Sequence, residues 1–392
     1  MSADARPDLA SLDLAEMEAR LAAGGIERFH ARQIYRWIHR RGETDLDRMT
    51  DLSRTLRQAL AEGYRIVTPQ VAHRDVSIDG TTKYLLRLED GRQIESVYIP
   101  DTPAQTFCIS TQVGCAMRCA FCLTGKMGIV RDLTAGEIVG QVRVLARETG
   151  LVDRPFNIVL MGMGEPLHNY DATMKALRML AEEHGFALPA RRVTLSTVGV
   201  LPALERLASE PYMPNLAVSL HATTEAVRDA LVPVNRKYGL ADLIEACRRF
   251  PVKRRERITF EYVLLAEVND TPADARRLVK LLAGLRAKVN LIPLNAAAGI
   301  PFERPADTRV DAFARILAEK GVTVSVRKSR GRDIRAACGQ LIVEGTAASP
   351  AQRLATLISR RSAVHDDAEG GKPALRASGT VRQDLSEPDS CT

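Results

Sequence analysis

Three cysteines lie close together in one short segment of the sequence. Three residues separate Cys115 from Cys119, and two separate Cys119 from Cys122. Thiolates at this spacing favour a soft metal ion or an iron–sulfur cluster. A structural zinc ion normally takes four ligands, and no second pair of cysteine or histidine residues follows at zinc-finger spacing. A cubane cluster on three cysteines keeps one iron open for a further ligand, and this interpretation is preferred to a zinc site or purely structural cysteines.

A glutamate in a glycine-rich segment follows an apolar run. Glu165 lies in Gly-Met-Gly-Glu-Pro, where glycines let the backbone bend and approach a ligand. Its carboxylate is suited to hold a cation, and this is preferred to a solvated glutamate in a tight turn. Further polar residues follow other apolar runs, namely Ser196, Ser219, His221 and Asn295. Taken singly, a serine or asparagine at the end of a strand is more often a cap than a ligand, and His221 is also explained as a satisfied structural histidine.

A second group of thiols lies outside the three-cysteine segment. Cys338 comes far downstream and follows a run of cations that would favour its thiolate and attract phosphate, Arg327, Lys328, Arg330, Arg332 and Arg335. Such a charge run is more often only a solvated face. Cys108 precedes the three-cysteine segment by seven residues. Cys247 is expected to pack in a helix, and Cys391 is interpreted as an incidental thiol.

The composition is that of a cytoplasmic globular protein. The 392 residues, 45% of them hydrophobic, suffice for one large core and a small accessory domain. The sequence has no apolar leader and no apolar run long enough to cross a bilayer, so no membrane association is expected. Seven cysteines without a leader indicate reduced thiols. The net charge of +7 permits nucleic-acid binding without establishing it.

The pattern of apolar residues divides the chain into four segments. A helical accessory domain comes first, a β-hairpin linker second, alternating strands and helices third, and a largely disordered extension last. Their predicted bounds are 1–70, 71–105, 106–345 and 346–392. Trp37 is interpreted as a core anchor of the helical domain. The alternation in the third segment predicts an α/β fold with a partial (β/α) barrel.

The barrel strands are predicted from near-continuous apolar or β-branched runs. They are expected at 107–110, 157–160, 192–196, 215–219, 258–264, 289–292 and 322–326, and the hairpin strands at 82–88 and 93–99. Chemistry in a β/α barrel lies at the carboxyl ends of the strands. The polar residues that follow these runs are therefore predicted to surround one site.

These motifs together resemble the RlmN/Cfr family of radical S-adenosylmethionine (SAM) enzymes, which methylate adenine in RNA. Phe121, directly before the last thiol of the cysteine loop, belongs to the likeness. So do Gly-Met-Gly-Glu-Pro-Leu, Leu-Ser-Thr-Val-Gly, Val-Ser-Leu-His-Ala, Ile-Thr-Phe-Glu-Tyr, Ile-Pro-Leu-Asn and Arg-Gly-Arg-Asp-Ile-Arg-Ala-Ala-Cys-Gly-Gln-Leu. It extends to residues 29–37 and 49–53 and spans most of the chain. The proline after Glu165 and the long N-terminal segment resemble the RlmN branch more than the Cfr branch, which modifies adenine C8.

The resemblance implies two cofactors. A [4Fe–4S] cluster would be held by Cys115, Cys119 and Cys122, and two SAM molecules would be used per turnover. The residues implied to bind SAM are Gly164, Glu165, Ser196, Ser219, Leu220, His221 and Asn295.

The resemblance also implies a reaction, methylation of C2 in adenine 2503 of 23S ribosomal RNA and in adenine 37 of transfer RNA. Adenine C2 is electron-poor and does not attack a methyl sulfonium, so a radical route is required. Cys338 would accept a methyl group from one SAM, and a radical from a second SAM would convert this group to a methylene radical that adds to C2. Cys108 would resolve the adduct through a disulfide with Cys338 while Glu95 accepts the C2 proton. By its pattern alone, Glu95 is predicted to be a surface residue of a strand.

The implied partners are 23S ribosomal RNA, transfer RNA and an electron donor such as flavodoxin. The RNA would contact Arg36, His39, Arg40, Arg41, the cluster 253–255 and the cluster 327–335. Three alternatives stay open. They are a Cfr-like C8 methyltransferase, another radical-SAM enzyme such as a glycyl-radical activase or a maturase, and a zinc-binding nucleic-acid module.

Overall fold

The computed structural model describes residues 4–100, 104–254 and 256–343. Arg255, Cys391 and the predicted extension 346–392 lie outside the described residues. Within the part that is described, no helix has the length and apolar character needed to cross a membrane.

The N-terminal segment folds into short helices around its own apolar cluster. The α-helices are α1 (Leu14–Ala23), α2 (Arg28–Tyr35) and α3 (Arg54–Gly63), with 3₁₀ turns at Leu9–Ser11 and Leu46–Arg48 and a π-helical turn at Arg36–Arg40. A capping box between Asp13 and Glu16 starts α1. Trp37 is half-buried and packs against the apolar cluster, which confirms its interpretation as a core anchor.

Three antiparallel strands follow, β1 (Gln70–Val76), β2 (Thr82–Arg87) and β3 (Gln93–Ile99). The sequence predicted the hairpin of β2 and β3 but not β1. This strand lies at the edge of the sheet and is mostly exposed, so it lacks the apolar alternation by which strands are recognised.

The rest of the described chain alternates strands and helices. The strands are β4 (Thr106–Cys108), β5 (Gln112–Gly114), β6 (Ile129–Asp132), β7 (Asn157–Leu160), β8 (Val193–Thr197), β9 (Asn215–Ser219), β10 (Ile258–Leu264), β11 (Ala287–Pro293) and β12 (Thr323–Val326). The helices are α4 (Leu123–Met127), α5 (Ala135–Glu148), α6 (Tyr170–Ala181), α7 (Leu201–Leu207), α8 (Glu225–Leu231), α9 (Leu240–Arg249), α10 (Pro272–Leu282) and α11 (Asp307–Glu319), with 3₁₀ turns at Ala190–Arg192 and Pro233–Arg236.

One ten-stranded sheet runs in the order β1-β2-β3-β4-β7-β8-β9-β10-β11-β12. From β4 onward every neighbouring pair is parallel, which confirms the predicted α/β fold. The short strands β5 and β6 form a separate ribbon that was not predicted.

Strand β10 illustrates how the barrel separates its core from its interior. Phe260 and Tyr262 are fully buried in the main apolar core, and the ring of Tyr262 lies 5.4 Å from that of Phe313 on α11. Glu261 and Val263 alternate with them and line the cavity described below. Because successive side chains of a strand point to opposite faces, the interior is lined by the residues between the core positions.

Candidate active site

The cysteine loop connects β5 to α4. Cys115 donates its backbone N–H to the carbonyl of Gly128 at 2.9 Å, which closes the base of the loop. Gly114 has a φ of 83°, and a Cβ there would lie 1.9 Å from that same carbonyl oxygen, so only glycine fits. Cys122 caps the N-terminus of α4 and donates its N–H to the carbonyl of Cys119 at 3.1 Å.

The three thiols line one cavity, here called the cluster cavity, with about 1000 Å³ of empty space including its open mouth. Their sulfurs do not all lie within 4.8 Å of one another, since the only such ligand set in the described ranges is Glu182, Glu183 and His184. A tetrahedral zinc ion with bonds of about 2.3 Å would draw its sulfurs closer than that. At least one pair of these sulfurs is therefore too far apart to share a zinc ion.

The three thiols of the cysteine loop are buried, and this limits the conditions under which they can bind a metal. Burial raises the pKa of Cys115 to about 12 and raises that of Cys119 well above the ordinary range. Neutral thiols are poor ligands, so positive charge must enter the cavity for the thiolates to form. The donor set therefore fits an iron–sulfur cluster.

Glu165 lies on the wall of the cluster cavity, in the loop after β7. Its carboxylate accepts hydrogen bonds from the backbone of Leu167 at 3.0 Å and of Val198 at 2.9 Å. Burial nevertheless raises its pKa to about 7. A bound cation would restore the carboxylate, as expected for a group that holds an ammonium. Gly164, with a φ of 105°, brings this loop onto Gln112.

The neighbouring strands add polar groups at the same edge. The hydroxyls of Ser196 on β8 and Ser219 on β9 lie 3.4 Å apart, and both residues line the cluster cavity together with Asn295 after β11. Leu220 does not line it, because its side chain packs in the main core. The structure thus brings together all the residues implied to bind SAM except Leu220.

His221 has the left-handed φ of 59° that few residues other than glycine adopt. Its Nδ1 accepts the N–H of Val263 at 3.1 Å, and its ring lies 4.7 Å from that of Phe121. Burial, followed by the charge of Arg228, lowers its pKa to about 3. The ring is therefore neutral, with its proton on Nε2. It is a satisfied histidine that also faces the cluster cavity.

Arg228 on α8 is a residue that the sequence analysis missed. It is fully buried, and its guanidinium donates to the carbonyls of Val198 at 2.7 Å, Ser219 at 3.2 Å and Leu220 at 3.1 Å. A fourth bond goes to Asn235 at 2.7 Å. Burial lowers its pKa to about 10. Arg228 ties the carboxyl ends of β8 and β9 together, and no motif in the sequence distinguished it from other helix arginines.

Residues 327–342, here called the strap, leave β12 and cross to the opposite edge of the sheet. Gly331 donates its N–H to Asp79 at 3.1 Å, and Ser77 donates its hydroxyl to Asp333 at 2.6 Å, so the strap is fastened to the turn between β1 and β2. The strap then passes beside the cysteine loop. Through these contacts it bridges the two edge strands, β1 and β12.

Cys338 lies on the strap and lines the cluster cavity. Arg327, half-buried, is hydrogen-bonded to it, and the charge of Cys338 is the largest influence that raises the pKa of Arg327. Cys108 on β4 is buried, which raises its pKa to about 12, with Cys338 as the next contribution. Cys108 and Cys338 are thus close enough to interact electrostatically, and both thiols are free.

Glu95 lies on β3 and is only 3% exposed, so the expectation of a surface position from its pattern alone was wrong. Its carboxylate accepts the N–H of Ile342 on the strap at 2.8 Å and forms an ion pair with Lys83 at 3.0 Å. It does not line the cluster cavity, although the neighbouring strap residue Leu341 does.

The residues expected to contact RNA separate into accessible and inaccessible ones. Arg36, Arg40 and Arg41 are exposed on the helical segment. His39 is fully buried beside Tyr35, with ring centroids 4.3 Å apart, and is not available to RNA, which corrects its assignment. Further exposed cations are Lys253, Arg254, Lys328 and Arg332.

Comparison with known proteins accounts for both parts of this architecture. Residues 109–279 match the Radical SAM superfamily, and residues 7–66 match the ribosomal RNA large subunit methyltransferase N-terminal domain. A solved radical SAM methyltransferase from Sphaerobacter thermophilus is 49% identical, with a TM-score of 0.82 over 86% of this chain and 99% of that chain. The fold and the cysteine loop thus define a radical SAM enzyme.

Relatives over nearly the full chain identify the group more closely. A dual-specificity RNA methyltransferase RlmN from Anaeromyxobacter dehalogenans is 49% identical over 91% of this chain and 97% of its own length. One from Syntrophotalea carbinolica is 49% identical over 95% and 98%, respectively. The chain belongs to the RlmN family of radical SAM RNA methyltransferases. It uses a [4Fe–4S] cluster and SAM, the two cofactors that the family resemblance implied.

Proposed function

We propose that this protein methylates C2 of adenine in 23S ribosomal RNA, at adenine 2503, and in transfer RNA, at adenine 37. The observation that carries the proposal is the presence of Cys338 in the same cavity as the cysteine loop, with Cys108 close enough to interact with Cys338 electrostatically. A radical SAM enzyme that only cleaved SAM would need no thiol opposite its cluster. The second thiol beside Cys338 is what a covalent RNA intermediate requires for its release.

Separate groups of residues would hold the cluster, hold SAM and carry the methyl group. Cys115, Cys119 and Cys122 would hold the cluster, and Glu165, Ser196, Ser219, His221 and Asn295 would hold SAM. The bound cluster and SAM would supply a carbon radical by reductive cleavage. Cys338 would first accept a methyl group from SAM on its sulfur, and this S-methyl group would lose one hydrogen atom before bonding to C2.

Three residues would assist Cys338 in its role as the methyl carrier. Arg327 would orient the sulfur of Cys338 for its methylation through the hydrogen bond between the two side chains. Cys108 would release the product by attacking the sulfur of Cys338, so that the S–S bond forms as the bond from this sulfur to the transferred carbon breaks, and that carbon takes up a proton to become the methyl group on C2. Glu95 would position the strap through the N–H of Ile342, and its carboxylate would accept the C2 proton after a rearrangement of that contact.

The reductant and the location are further parts of the proposal. A small electron carrier such as flavodoxin would deliver the electron for SAM cleavage. The reaction would take place in the cytoplasm, where RNA and reducing conditions coincide.

Analysis of RNA after turnover tests the proposal. The reconstituted holoenzyme should convert unmodified transfer RNA and 23S ribosomal RNA fragments to products that contain 2-methyladenosine. Recovery of 8-methyladenosine instead would assign the protein to Cfr-type chemistry. A colourless protein that binds zinc and no iron would contradict any radical reaction.

Variants of the two thiols separate their roles. Cys338→Ala should keep the cluster and give no methylated RNA, whereas Cys108→Ala should accumulate a covalent RNA–protein species. Mass spectrometry of the wild-type protein should find a methyl group on Cys338. The matched control is Cys247→Ala, because Cys247 is a buried thiol in the core around α9. Methylation by Cys338→Ala would refute the carrier role.

A further inference from the structure

The barrel interior contains a second cavity at the amino-terminal ends of its strands. Its walls include inward-facing residues near the starts of four strands, Thr106, Asn157, Thr194 and Lys288. It shares Met161, Glu261 and Arg327 with the cluster cavity. These three residues therefore lie between the lower opening and the cluster cavity, and Arg327 is hydrogen-bonded to Cys338.

The lower opening is strongly cationic. Six cations line it, Arg191, Arg192, Lys288, Arg327, Lys328 and Arg330, against one acidic residue, Glu261. None of these six cations forms a salt bridge with a carboxylate among the described residues. Six cations around one carboxylate leave an excess of positive charge, which marks a site for an anionic ligand.

The cationic surface continues to the helical segment. A third cavity, before β7 and β8, is lined by Arg40 of the π-helical turn, Arg154 and Arg192, with Asp153 as its acidic member. Arg192 lines both this cavity and the lower opening. We call the combined set the basic track. It consists of Arg40, Arg154, Arg191, Arg192, Lys288, Lys328 and Arg330.

We propose that the basic track is the docking surface of the RNA substrate, and that the target adenine enters the barrel from the amino-terminal ends of the strands. This inference rests on the proposed function. The cysteine loop and Glu165 occupy the carboxyl-end wall of the cluster cavity, and Arg327, which is hydrogen-bonded to Cys338, lines the lower opening as well, so this opening gives the base a route from the track toward Cys338. Cations spread over two cavities suit several consecutive phosphates rather than one small anion.

The geometry also limits the form of the RNA. A paired base cannot reach Cys338, because the rest of the duplex would have to enter the barrel with it. An unstacked base from a loop presents its edge to the interior while its flanking phosphates stay on the track.

Binding measurements on the holoenzyme test the track. The triple variant Arg154→Gln, Arg191→Gln and Lys288→Gln removes three track cations that make no side-chain hydrogen bond among the described residues. The control is Arg276→Gln, Lys280→Gln and Arg315→Gln, which removes the same charge from exposed positions of α10 and α11. For unmodified transfer RNA, the track variant should reduce the slope of log K against log salt by about 2 and weaken binding on the order of 10- to 100-fold. In the control variant, the change in the salt slope and the change in affinity should each be less than half of the change in the track variant.

Two further readouts separate the track from the proposed function. SAM cleavage without RNA should match wild type in both triple variants, which shows an intact centre. The single variant Lys288→Gln should reduce the slope of log K against log salt by about one third as much as the triple track variant does. Unchanged salt dependence in an enzyme that methylates RNA overturns the track alone. Weakened binding in an enzyme that forms no methyladenosine supports the track and refutes the proposed reaction.

Discussion

Leu123 donates its backbone N–H to the carbonyl of Gly339 at 2.8 Å. Leu123 follows the last cysteine of the loop, and Gly339 follows Cys338. One hydrogen bond therefore joins two segments that lie more than two hundred positions apart in the chain. A second bond, from the hydroxyl of Thr124 to the carbonyl of Leu341 at 2.6 Å, doubles the connection. The position of Cys338 is fixed directly by the helix that starts at Cys122.

This connection predicts the effect of Thr124→Val. The change preserves the side-chain shape and leaves the buried carbonyl of Leu341 without its donor, which should cost about 1–2 kcal/mol in the free energy of unfolding. Iron content should stay at the wild-type level while S-methylation of Cys338 falls, as mass spectrometry would show. Thr149→Val is the control, because it removes a similar bond, to Leu145 at 2.7 Å, at the end of α5. Equal Cys338 methylation in both variants would contradict the role of the strap contact.

Gly164 should tolerate no side chain. At its φ of 105°, a Cβ would lie 2.7 Å from the Cβ of Gln112. Gly164→Ala should therefore displace Glu165 and lower SAM affinity by about tenfold or more, with about 1–3 kcal/mol of overpacking added to the backbone strain. Gly150→Ala, at a φ of 67° with no atom within 4 Å, carries the strain alone. Equilibrium dialysis with SAM and chemical unfolding of both variants measure the difference. Retained SAM affinity in Gly164→Ala would show that this loop can move.

The raised pKa of Glu165 predicts how the free energy of unfolding of the cluster-free protein depends on pH. Burial raises its pKa from 4.5 to about 7, so between these values the native state binds a proton that the unfolded state releases. The free energy of unfolding should therefore decrease as the pH rises from 4.5 to 7, by up to about 3 kcal/mol, and level off above 7. Glu165→Gln should remove this decrease.

The comparison requires unfolding curves at several pH values for both proteins. Glu183, whose side chain is 84% exposed, provides the control variant Glu183→Gln, which should keep the wild-type profile. Parallel profiles for wild type and Glu165→Gln would mean that the carboxyl is ionised in the native state throughout.

Arg228 should be essential to the stability of the site. Arg228→Met keeps the volume but leaves the carbonyls of Val198, Ser219 and Leu220 without their donor, which should cost about 3 kcal/mol or more. SAM affinity should also fall, because Ser219 lies at one of the strand ends that Arg228 holds. Arg315→Met, on the exposed face of α11, should change stability by less than about 0.5 kcal/mol. An unfolding temperature of Arg228→Met equal to that of the wild-type protein would contradict the stabilising role of Arg228.

The sequence alone determined the local chemistry and most of the strands. The cysteine spacing predicts a three-thiolate cluster site because all its ligands come from one loop, and β7, β9 and β10 lie at the predicted residues because strands buried on both faces leave continuous apolar runs. The exposed edge strand β1 and the short ribbon of β5 and β6 leave no such run, so they were not predicted.

Only the tertiary structure decided the contacts between distant segments. Glu95 has the sequence context of an exposed strand residue, and its burial follows from the strap that covers β3 and donates the N–H of Ile342 to it. Arg228 resembles any arginine of an amphipathic helix until the ends of β8 and β9 present their carbonyls to it. The adjacency of Cys108 to Cys338 likewise requires the strap to cross the sheet. Such contacts join residues far apart along the chain, and no local spacing or periodicity encodes them.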